Sequence, residues 1–327
     1  MRKPTAEQAE KATRKRLRLE GRGLMSADSL DQKINDSIAL LRANEPADQP
    51  YYGGFSGGKD SIVIKELARL AGVNVVWHYN QTTIDPPELT RFILDVHPDV
   101  LWAKPRHGNF FRRMEKKGFP TRRARWCCEE YKETAAPRGS VMILGVRAEE
   151  SPKRAKTWKD VTFHTRTRAW AVAPILRWSE EDVWAFIEAR HLPYCTLYDE
   201  GFERLGCVGC PMARAAGRRK AFDRWPGFEK AWKVAFKRIW DRRHGTLQRN
   251  GKIWFGDAFF HNWEEMWDWW ASDRSLPARL PTGEAEVEAV VAGAVQEALE
   301  DEEAEDEEGS CQTALDMLSG AGEDEEP

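Results

Sequence analysis

The sequence lacks any apolar run that approaches the ~20 residues needed to span a bilayer. It also lacks an apolar stretch after its basic start, which a secretory signal would require. We therefore expect a cytoplasmic protein that has no membrane partner. No internal repeat is visible. With 327 residues, 41% of them hydrophobic, the chain is long enough for a sizeable core and for about two domains.

Basic residues are absent from residues 283–327, which contain 17 Asp or Glu. Residues 1–282 are left with 50 bases against 36 acids, a net charge of +14, although the whole chain carries only −3. A basic body suits a polyanionic ligand such as a nucleotide or a nucleic acid. A solvated surface balanced by its own acidic tail explains the same numbers. The run Glu297–Glu308 is predicted to be disordered, because like charges repel and little can be buried there.

Short apolar segments alternate with helical ones between residues 46 and 213. The predicted strands are Tyr51–Phe55, Val73–His78, Val100–Trp102, Val141–Val146 and Ala171–Leu176. Helical patterns lie at Asp60–Leu70 and Glu88–Val96, and Ser179 is a plausible N-cap of a further helix. This alternation predicts an α/β fold in which helices cover a parallel sheet.

Three regions flank this segment. Residues 1–45 are predicted to form a basic arm with a helix over Leu30–Leu41. Residues 214–282 form a basic region, predicted to be helical, that contains eight of the fifteen tryptophans. Aromatic rings beside cations can stack bases and hold phosphates, whereas tryptophans more often pack a helical subdomain. Residues 283–327 form an acidic tail that is predicted to be mostly disordered.

The sharpest local signal is Ser56–Ser61, read Ser-Gly-Gly-Lys-Asp-Ser, between a predicted strand and a predicted helix. In such a place backbone N–H groups surround an anion, while the lysine adds charge and the serines add hydroxyl donors. Gly53 to Lys59 also fits the start of a Walker A motif, but Asp60 stands where that motif needs Ser or Thr for magnesium. The segment therefore predicts a phosphate loop of another kind.

Six cysteines occur, and four of them form two close pairs. Cys207 and Cys210 enclose a C-x-x-C turn, and the adjacent Cys127 and Cys128 are the natural second pair. Four thiolates suffice for zinc or for an iron–sulfur cluster. Adjacent cysteines are awkward for one tetrahedral ion, because neighbouring side chains diverge, so zinc is the weaker candidate. A redox C-x-x-C pair with two buried thiols is a further alternative.

Five ordered segments resemble the phosphoadenosine phosphosulfate (PAPS) reductase family, within the adenine nucleotide alpha-hydrolase-like superfamily. They are Ser56–Ser61, Asn80–Glu88, Arg125–Cys128, Gly145–Arg154 and Pro174–Pro211. Together they extend over about half of the chain, and five ordered segments arise by chance far less readily than one loop. The chain looks most similar to the iron–sulfur branch, which includes adenylyl-sulfate (APS) reductases, DNA phosphorothioation enzymes and tRNA thiolases.

The resemblance implies a doubly wound parallel sheet, with an adenine nucleotide bound over the carboxyl ends of its strands. It also implies a [4Fe–4S] cluster on Cys127, Cys128, Cys207 and Cys210. The implied nucleotide ligands are Ser56, Gly57, Gly58, Lys59, Asp60, Ser61, Arg147 and Arg154, among which Lys59, Asp60 and Arg147 are the candidate catalytic residues. A guanidinium group suits phosphate or sulfate because it binds two oxygens at once. For the two arginines, ordinary ion pairing with Glu149 or Glu150 is the alternative.

One feature of the reductases is missing. Their attacking cysteine stands in a C-terminal Glu-Cys-Gly-Leu-His-like motif, which this sequence does not contain. Cys311 is the only cysteine after Cys210, and the acidic residues near it discourage thiolate formation. This departure lowers the expectation of reductase activity without removing it.

Three functions stay open at this stage. The first is an enzyme that cleaves ATP, with Mg²⁺, to adenylate an acceptor and support sulfur transfer onto tRNA or DNA. The second is reduction of APS or PAPS to sulfite, with a thiol or another electron donor. The third is a nucleotide-binding or nucleic-acid-binding module whose cluster is only structural.

Overall fold

The computed structural model describes residues 27–133, 136–165, 168–246, 253–272, 274–277 and 279–280. Cys311, the acidic tail and most of the basic arm lie outside these described residues. Within them, every helix is too short or too polar to cross a membrane.

The centre of the fold is a six-stranded sheet. Its strands are β1 (Tyr51–Gly54), β2 (Val75–Asn80), β3 (Leu101–Ala103), β4 (Val141–Ile143), β5 (Val161–His164) and β6 (Ala169–Val172). They lie in the order β3-β2-β1-β4-β6-β5, and all pairs are parallel except β5 with β6. The chain winds outward from β1 to β3 and then returns to place β4 on the other side of β1. The predicted doubly wound parallel sheet is confirmed, with one antiparallel strand at its edge.

Helices cover the sheet, and six of the described ones, apart from the short turn Trp126–Cys128, precede residue 190. They are α1 (Ala27–Ala43), α2 (Lys59–Ala71), α3 (Pro87–Val96), α4 (Phe110–Lys117), α5 (Pro152–Thr157) and α6 (Glu180–Ala189). The predicted cap at Ser179 is confirmed, because its hydroxyl accepts from the Asp182 N–H while the Asp182 carboxylate accepts from the Ser179 N–H.

All five predicted strands differ from the observed ones at one end or both, and for two of them the physical reason is clear. β4 stops at Ile143 rather than Val146, because the chain turns at Gly145 to pack against the backbone of Asp60. A Cβ atom at Gly145 would lie only 3.1 Å from the Asp60 carbonyl carbon. β6 covers Ala169–Val172 rather than Ala171–Leu176, since Pro174 cannot donate a ladder hydrogen bond. The sequence pattern does not predict the edge strand β5.

The Trp-rich region is helical, as predicted. It contains α7 (Ala215–Arg224), α8 (Pro226–Arg243), α9 (Phe255–Phe259) and α10 (Trp263–Ala271). Six of its eight tryptophans are buried: Trp225, Trp232, Trp240, Trp254, Trp267 and Trp270. The Trp232 and Trp270 rings stack 4.6 Å apart, and Trp232 packs on Phe110 of α4. Most of these tryptophans therefore form a core between helices. The domain boundaries drawn from composition stay predictions.

Candidate nucleotide and cysteine site

The predicted phosphate loop joins β1 to α2 at the carboxyl edge of the sheet. β1 is paired with β2 on one side and with β4 on the other, so this edge is the switch point of a doubly wound sheet. Ligands of such sheets bind at the switch point, outside the carboxyl ends of the strands. The loop after β4 carries Arg147 to the same place. The fold thus brings two distant sequence motifs together.

Gly57 determines the shape of the loop. Its φ angle of +71° lies in the left-handed region that favours glycine. A Cβ atom there would lie 2.7 Å from Leu89 Cδ1 and 2.8 Å from Ile93 Cγ1, both on α3. No larger residue fits without moving α3, so both backbone conformation and packing require glycine at this position.

Hydrogen bonds fix the rest of the loop. The Ser61 hydroxyl donates to the Gly58 carbonyl at 2.7 Å, and the Gly58 N–H donates to Ser56 Oγ at 3.4 Å. The Lys59 N–H donates to the Tyr198 hydroxyl at 2.9 Å. Burial raises the pKa of Tyr198 well above its usual range, so this hydroxyl keeps its proton at neutral pH. It therefore accepts from Lys59 and retains a proton to donate.

The Lys59 ammonium group is buried with the loop. The residue is 5% exposed, and its Nζ lies 3.4 Å from the Glu203 carbonyl oxygen. Carboxylate oxygens of Asp60 and Glu180 lie 3.7 and 3.8 Å away. A buried cation needs such partners, because its desolvation would otherwise be costly. The charge is thus held at the start of α2, where the helix dipole also favours an anion.

Arg147 is the second buried cation of the site. It is 4% exposed, and its Nε donates to Asp60 Oδ1 at 2.6 Å. Its Nη1 donates to Glu149 Oε2 at 2.7 Å, and Glu149 in turn accepts from the Glu180 N–H. Asp60 therefore links the phosphate loop to Arg147. The ion pair with Glu149, the ordinary alternative for this arginine, is present.

Arg154 lies in a group of arginines near the same mouth. It pairs with Glu150, and Arg204 approaches Glu150 at 3.9 Å. Burial lowers the pKa of Arg154 to about 10, and the charges of Arg204, Arg147 and Arg125 act in the same direction. Glu150 thus faces two guanidinium groups, and the second positive charge suits an anionic ligand.

The C-x-x-C turn lies next to the loop after β2. Cys207 Sγ is 3.5 Å from Thr82 Oγ1 and 3.9 Å from Asp85 Oδ1. Burial raises the pKa of Cys207 to about 11, which the positive charge of Lys132 opposes. The indole Nε1 of Trp232 donates to the Val208 carbonyl inside the turn at 3.0 Å. The Trp-rich region therefore supports the cysteine turn directly.

The adjacent cysteines stand on a helical turn, Trp126–Cys128, that continues as a π-helical turn over Glu129–Glu133. A hydrogen bond from the Cys127 thiol lowers the pKa of Cys128, and the charges of Lys132 and Arg125 lower it further. The same hydrogen bond and burial raise the pKa of Cys127. This pair therefore favours one thiolate in a positive environment.

Cys127 lies within electrostatic range of the other three cysteines, since charge on Cys128, Cys207 and Cys210 raises its pKa. The five cysteines of the described part are free thiols. In that part of the chain, no three His, Cys, Asp or Glu side chains are gathered as ligands of a single metal ion. Ligands of a cluster stand farther apart than those of one ion, because the cluster itself fills the centre. Four thiols are a donor set that either zinc or an iron–sulfur cluster can take.

Comparison with known proteins identifies the family. A family model described as "Phosphoadenosine phosphosulfate reductase domain" matches residues 51–213. An adenosine 5′-phosphosulfate reductase of Shouchella clausii is 32% identical over 214 residues, which cover 61% of this chain and 86% of that protein. The chain belongs to the PAPS reductase family, as the resemblance of its motifs predicted.

Other relatives match less of their own length. An uncharacterized protein of Methanocaldococcus jannaschii is 29% identical over 216 residues, which cover 62% of this chain and 45% of that protein. The chain thus spans about half the length of the curated relatives of this kind.

A crystal structure of PAPS reductase from Candida auris, in a phosphate complex, has a TM-score of 0.42 and 15% identity, over 57% of this chain and 97% of that chain.

The structure brings the predicted loop residues, Arg147 and Arg154 to one mouth and places both cysteine pairs beside it. Their roles as nucleotide and cluster ligands stay predictions. Sequence analysis did not assign Tyr198, Glu203 or Arg204, although all three contact the site. Tyr198 lies within the family-like segment that ends at Pro211, so the signal was present. Glu203 contacts Lys59 through its backbone carbonyl, and such a contact cannot be predicted from the residue type.

Proposed function

We propose that the protein binds ATP on the Ser56–Ser61 loop, cleaves it between the α and β phosphates and adenylates an acceptor, which then receives sulfur. The observation that carries this proposal is the buried Lys59 ammonium at the start of α2, beside Arg147 at the switch point. The sequence also lacks the C-terminal cysteine motif with which reductases attack sulfur. A nucleotide site without that nucleophile favours transfer of the adenylyl group.

The chemistry follows from where negative charge develops. An acceptor oxygen attacks the α phosphorus, the bond from that phosphorus to the bridging oxygen breaks, and pyrophosphate leaves. Lys59 and the N–H groups at the start of α2 stabilise the charge on the departing pyrophosphate. Mg²⁺, when bound with the nucleotide, would supply further positive charge for the same phosphates. A sulfur nucleophile then replaces the adenylated oxygen, and AMP leaves.

Asp60 and Arg147 act as a pair. Asp60 holds the guanidinium of Arg147 at 2.6 Å, and Glu149 holds it from the other side. Two carboxylates fix the direction of one buried arginine, so the group meets the nucleotide already oriented. Arg154 stands further out, where Arg204 and Arg125 add charge for the anionic end of the ligand.

The four cysteines Cys127, Cys128, Cys207 and Cys210 would hold a [4Fe–4S] cluster next to this mouth. When bound, such a cluster supplies redox-active iron beside the nucleotide. Arg125 and Lys132 lie close enough to favour thiolate at Cys128, which is the form that ligates iron.

Reduction of APS or PAPS to sulfite is the second candidate. The relative from Shouchella clausii favours it, since that protein is named an adenosine 5′-phosphosulfate reductase and the match covers 86% of its length. In this reaction a thiol or another electron donor supplies two electrons, sulfite leaves, and a nucleoside phosphate remains. The same loop and arginines would hold the nucleotide.

Product analysis separates the two reactions. Protein purified without oxygen is incubated with ATP, APS and PAPS in turn, with a thiol reductant, and the products are identified by mass. We expect AMP and pyrophosphate from ATP, with turnover raised by tRNA or DNA. Sulfite from APS or PAPS, without cleavage of ATP, would overturn the proposal in favour of the reductase.

Substitution of Lys59 tests the site itself. Lys59→Ala should lower the rate of ATP cleavage about 10²–10³-fold, because one preorganised group that stabilises developing charge contributes on that scale. Lys65→Ala is the matched control, since Lys65 lies on the same helix but pairs with Asp99 away from the loop. Equal losses in both variants would contradict the role of Lys59.

A further inference from the structure

A cavity of about 460 Å³ lies outside the nucleotide site, between the carboxyl ends of α4 and α8 and the start of α9. Its walls include Lys117, Phe119, Arg243, Thr246, Trp254 and Phe255. Among the described residues that line it, none is acidic. Its volume is within the usual range of small-molecule pockets.

The aromatic wall is held rigidly by packing. Phe119 stacks on Phe236 with ring centroids 4.8 Å apart, and the buried Trp254 contacts Trp240 edge-on at 5.6 Å. Phe255 is partly exposed at the cavity. Rings fixed before binding offer a flat apolar surface without loss of side-chain freedom.

The cations of the cavity lie beside these rings. Arg243 is anchored by donation of its Nη2 to the Lys116 carbonyl at 2.8 Å, and Arg242 precedes it in the last turn of α8. Lys117 remains 43% exposed, although it also reaches Glu130 at 3.1 Å. A flat ring surface beside fixed cations suits a ligand that has both a planar ring and a phosphate.

A basic strip connects the cavity to the cysteine site. Arg122, Arg123 and Arg125 are exposed and follow Phe119 along the chain towards Cys127. Phe119 belongs to the cavity wall, and the charge of Arg125 acts on Arg154 at the mouth, so the segment joins the two places along the chain. A polyanion seated in the cavity would therefore be guided toward the nucleotide and the cysteines.

A groove on another face of α8 provides the contrast. It has about 360 Å³ and is lined in part by Lys230, Lys233 and Glu229. Glu229 pairs with Lys233 at 2.9 Å, and Lys237 pairs with Asp241 at 2.8 Å. Positive charge on that face is therefore largely balanced within the helix itself.

We propose that the cavity bounded by Arg243, Lys117 and Phe255 binds one base and its phosphate of a single-stranded nucleic acid, whose backbone continues along Arg122–Arg125. A single strand is required because the base must leave its own stack to reach the aromatic wall. The inference rests on the proposed function in one respect, because it takes the bound nucleic acid to be the acceptor that is adenylated.

Binding of short labelled RNA and DNA single strands to the full-length protein, followed by fluorescence anisotropy over a range of salt, tests the site. Arg243→Gln should reduce the slope of log affinity against log salt by about 0.7, since one phosphate contact is lost. Phe255→Leu keeps apolar bulk but removes the ring, so it should weaken binding about tenfold with the slope unchanged. Lys230→Gln on the contrasting groove should change neither quantity.

Three results would overturn the inference: no binding of either strand, equal effects of Arg243→Gln and Lys230→Gln, or a duplex bound as tightly as the single strand. Thermal unfolding of each variant shows whether it is folded. ATP cleavage is measured on the same preparations. Cleavage without cavity-dependent binding overturns only this site, whereas cavity-dependent binding without cleavage overturns only the proposed function.

Discussion

Two regions of the molecule contain many cations but place them differently. Around the phosphate loop, Lys59 and Arg147 are buried and each meets carboxylates of the same chain. In the Trp-rich helices, the cations are mostly at the surface, and the tryptophans are inside. A buried charge is stable only with partners already built around it, so the first region fixes the direction of its cations. The second obtains its stability from aromatic packing and keeps most of its cations at the surface, where several pair with carboxylates.

The largest expected effect is a loss of iron when a cysteine of the first region is replaced. Cys207→Ser should remove the iron from protein purified without oxygen, because one of four thiolate ligands is lost. Cys195→Ser is the matched control, since Cys195 is buried and lies outside the two pairs. The measurement is the iron content per protein molecule in both variants. Full iron in the Cys207 variant would contradict the ligand assignment.

A smaller effect concerns a buried histidine of the sheet region. Burial, with help from the charge of Lys65, lowers the pKa of His97 to about 4 in the folded state, against about 6.5 unfolded. The neutral ring is favoured by folding, so its contribution is complete above pH 6.5 and is lost as the pH falls through 4. We expect a loss of roughly 3 kcal/mol of unfolding free energy over that interval.

Urea unfolding at several pH values measures this loss. His97→Asn should remove most of the difference between pH 6.5 and pH 4. His244→Asn, at a site where the side chain is 58% exposed, should leave it unchanged. If both variants kept the pH dependence of the parent protein, another group would have to account for it.

The smallest effect tests where the two regions meet. Trp232 Nε1 donates to the Val208 carbonyl in the C-x-x-C turn, and Trp270 Nε1 donates to the Pro120 carbonyl at 2.7 Å. Replacement of either by Phe leaves one buried carbonyl without its donor and should cost about 1–3 kcal/mol in unfolding free energy. Only Trp232→Phe should also weaken iron retention. Equal iron loss in both variants would show that general destabilisation is the cause.

Sequence reasoning recovered the parts of the fold that local patterns encode. The helix that follows the phosphate loop was expected over Asp60–Leu70 and runs from Lys59 to Ala71. Its apolar spacing and its terminal glycine, Gly72, are visible in the residues themselves, and Gly72 takes the φ of +71° that ends a helix. The edge strand β5 escaped prediction, because a four-residue strand with one partner leaves little pattern. The early end of β4 escaped too, since it depends on the close approach of Gly145 to Asp60, a tertiary contact.

The candidate site shows the same division. The loop, both cysteine pairs and the two arginines were predictable, because each stands in a motif of distinctive residue types. Their partners were not. That Asp60 would hold Arg147 depends on β4 lying beside β1, and no spacing along the chain reveals this. Likewise, the tryptophans could be counted from the sequence, but their burial depended on α8 packing against α4.

Gly57 has a consequence for the thermodynamics of any anion that enters the loop. Its backbone is held in a left-handed turn over Leu89 and Ile93, so the apolar core, rather than a ligand, sets the position of the surrounding amides. Restricting one residue to a single backbone conformation costs about 1–2 kcal/mol in entropy. Here that loss occurs when the chain folds. An incoming phosphate therefore meets donors already in place, and its binding free energy is not diminished by the entropy of ordering the loop.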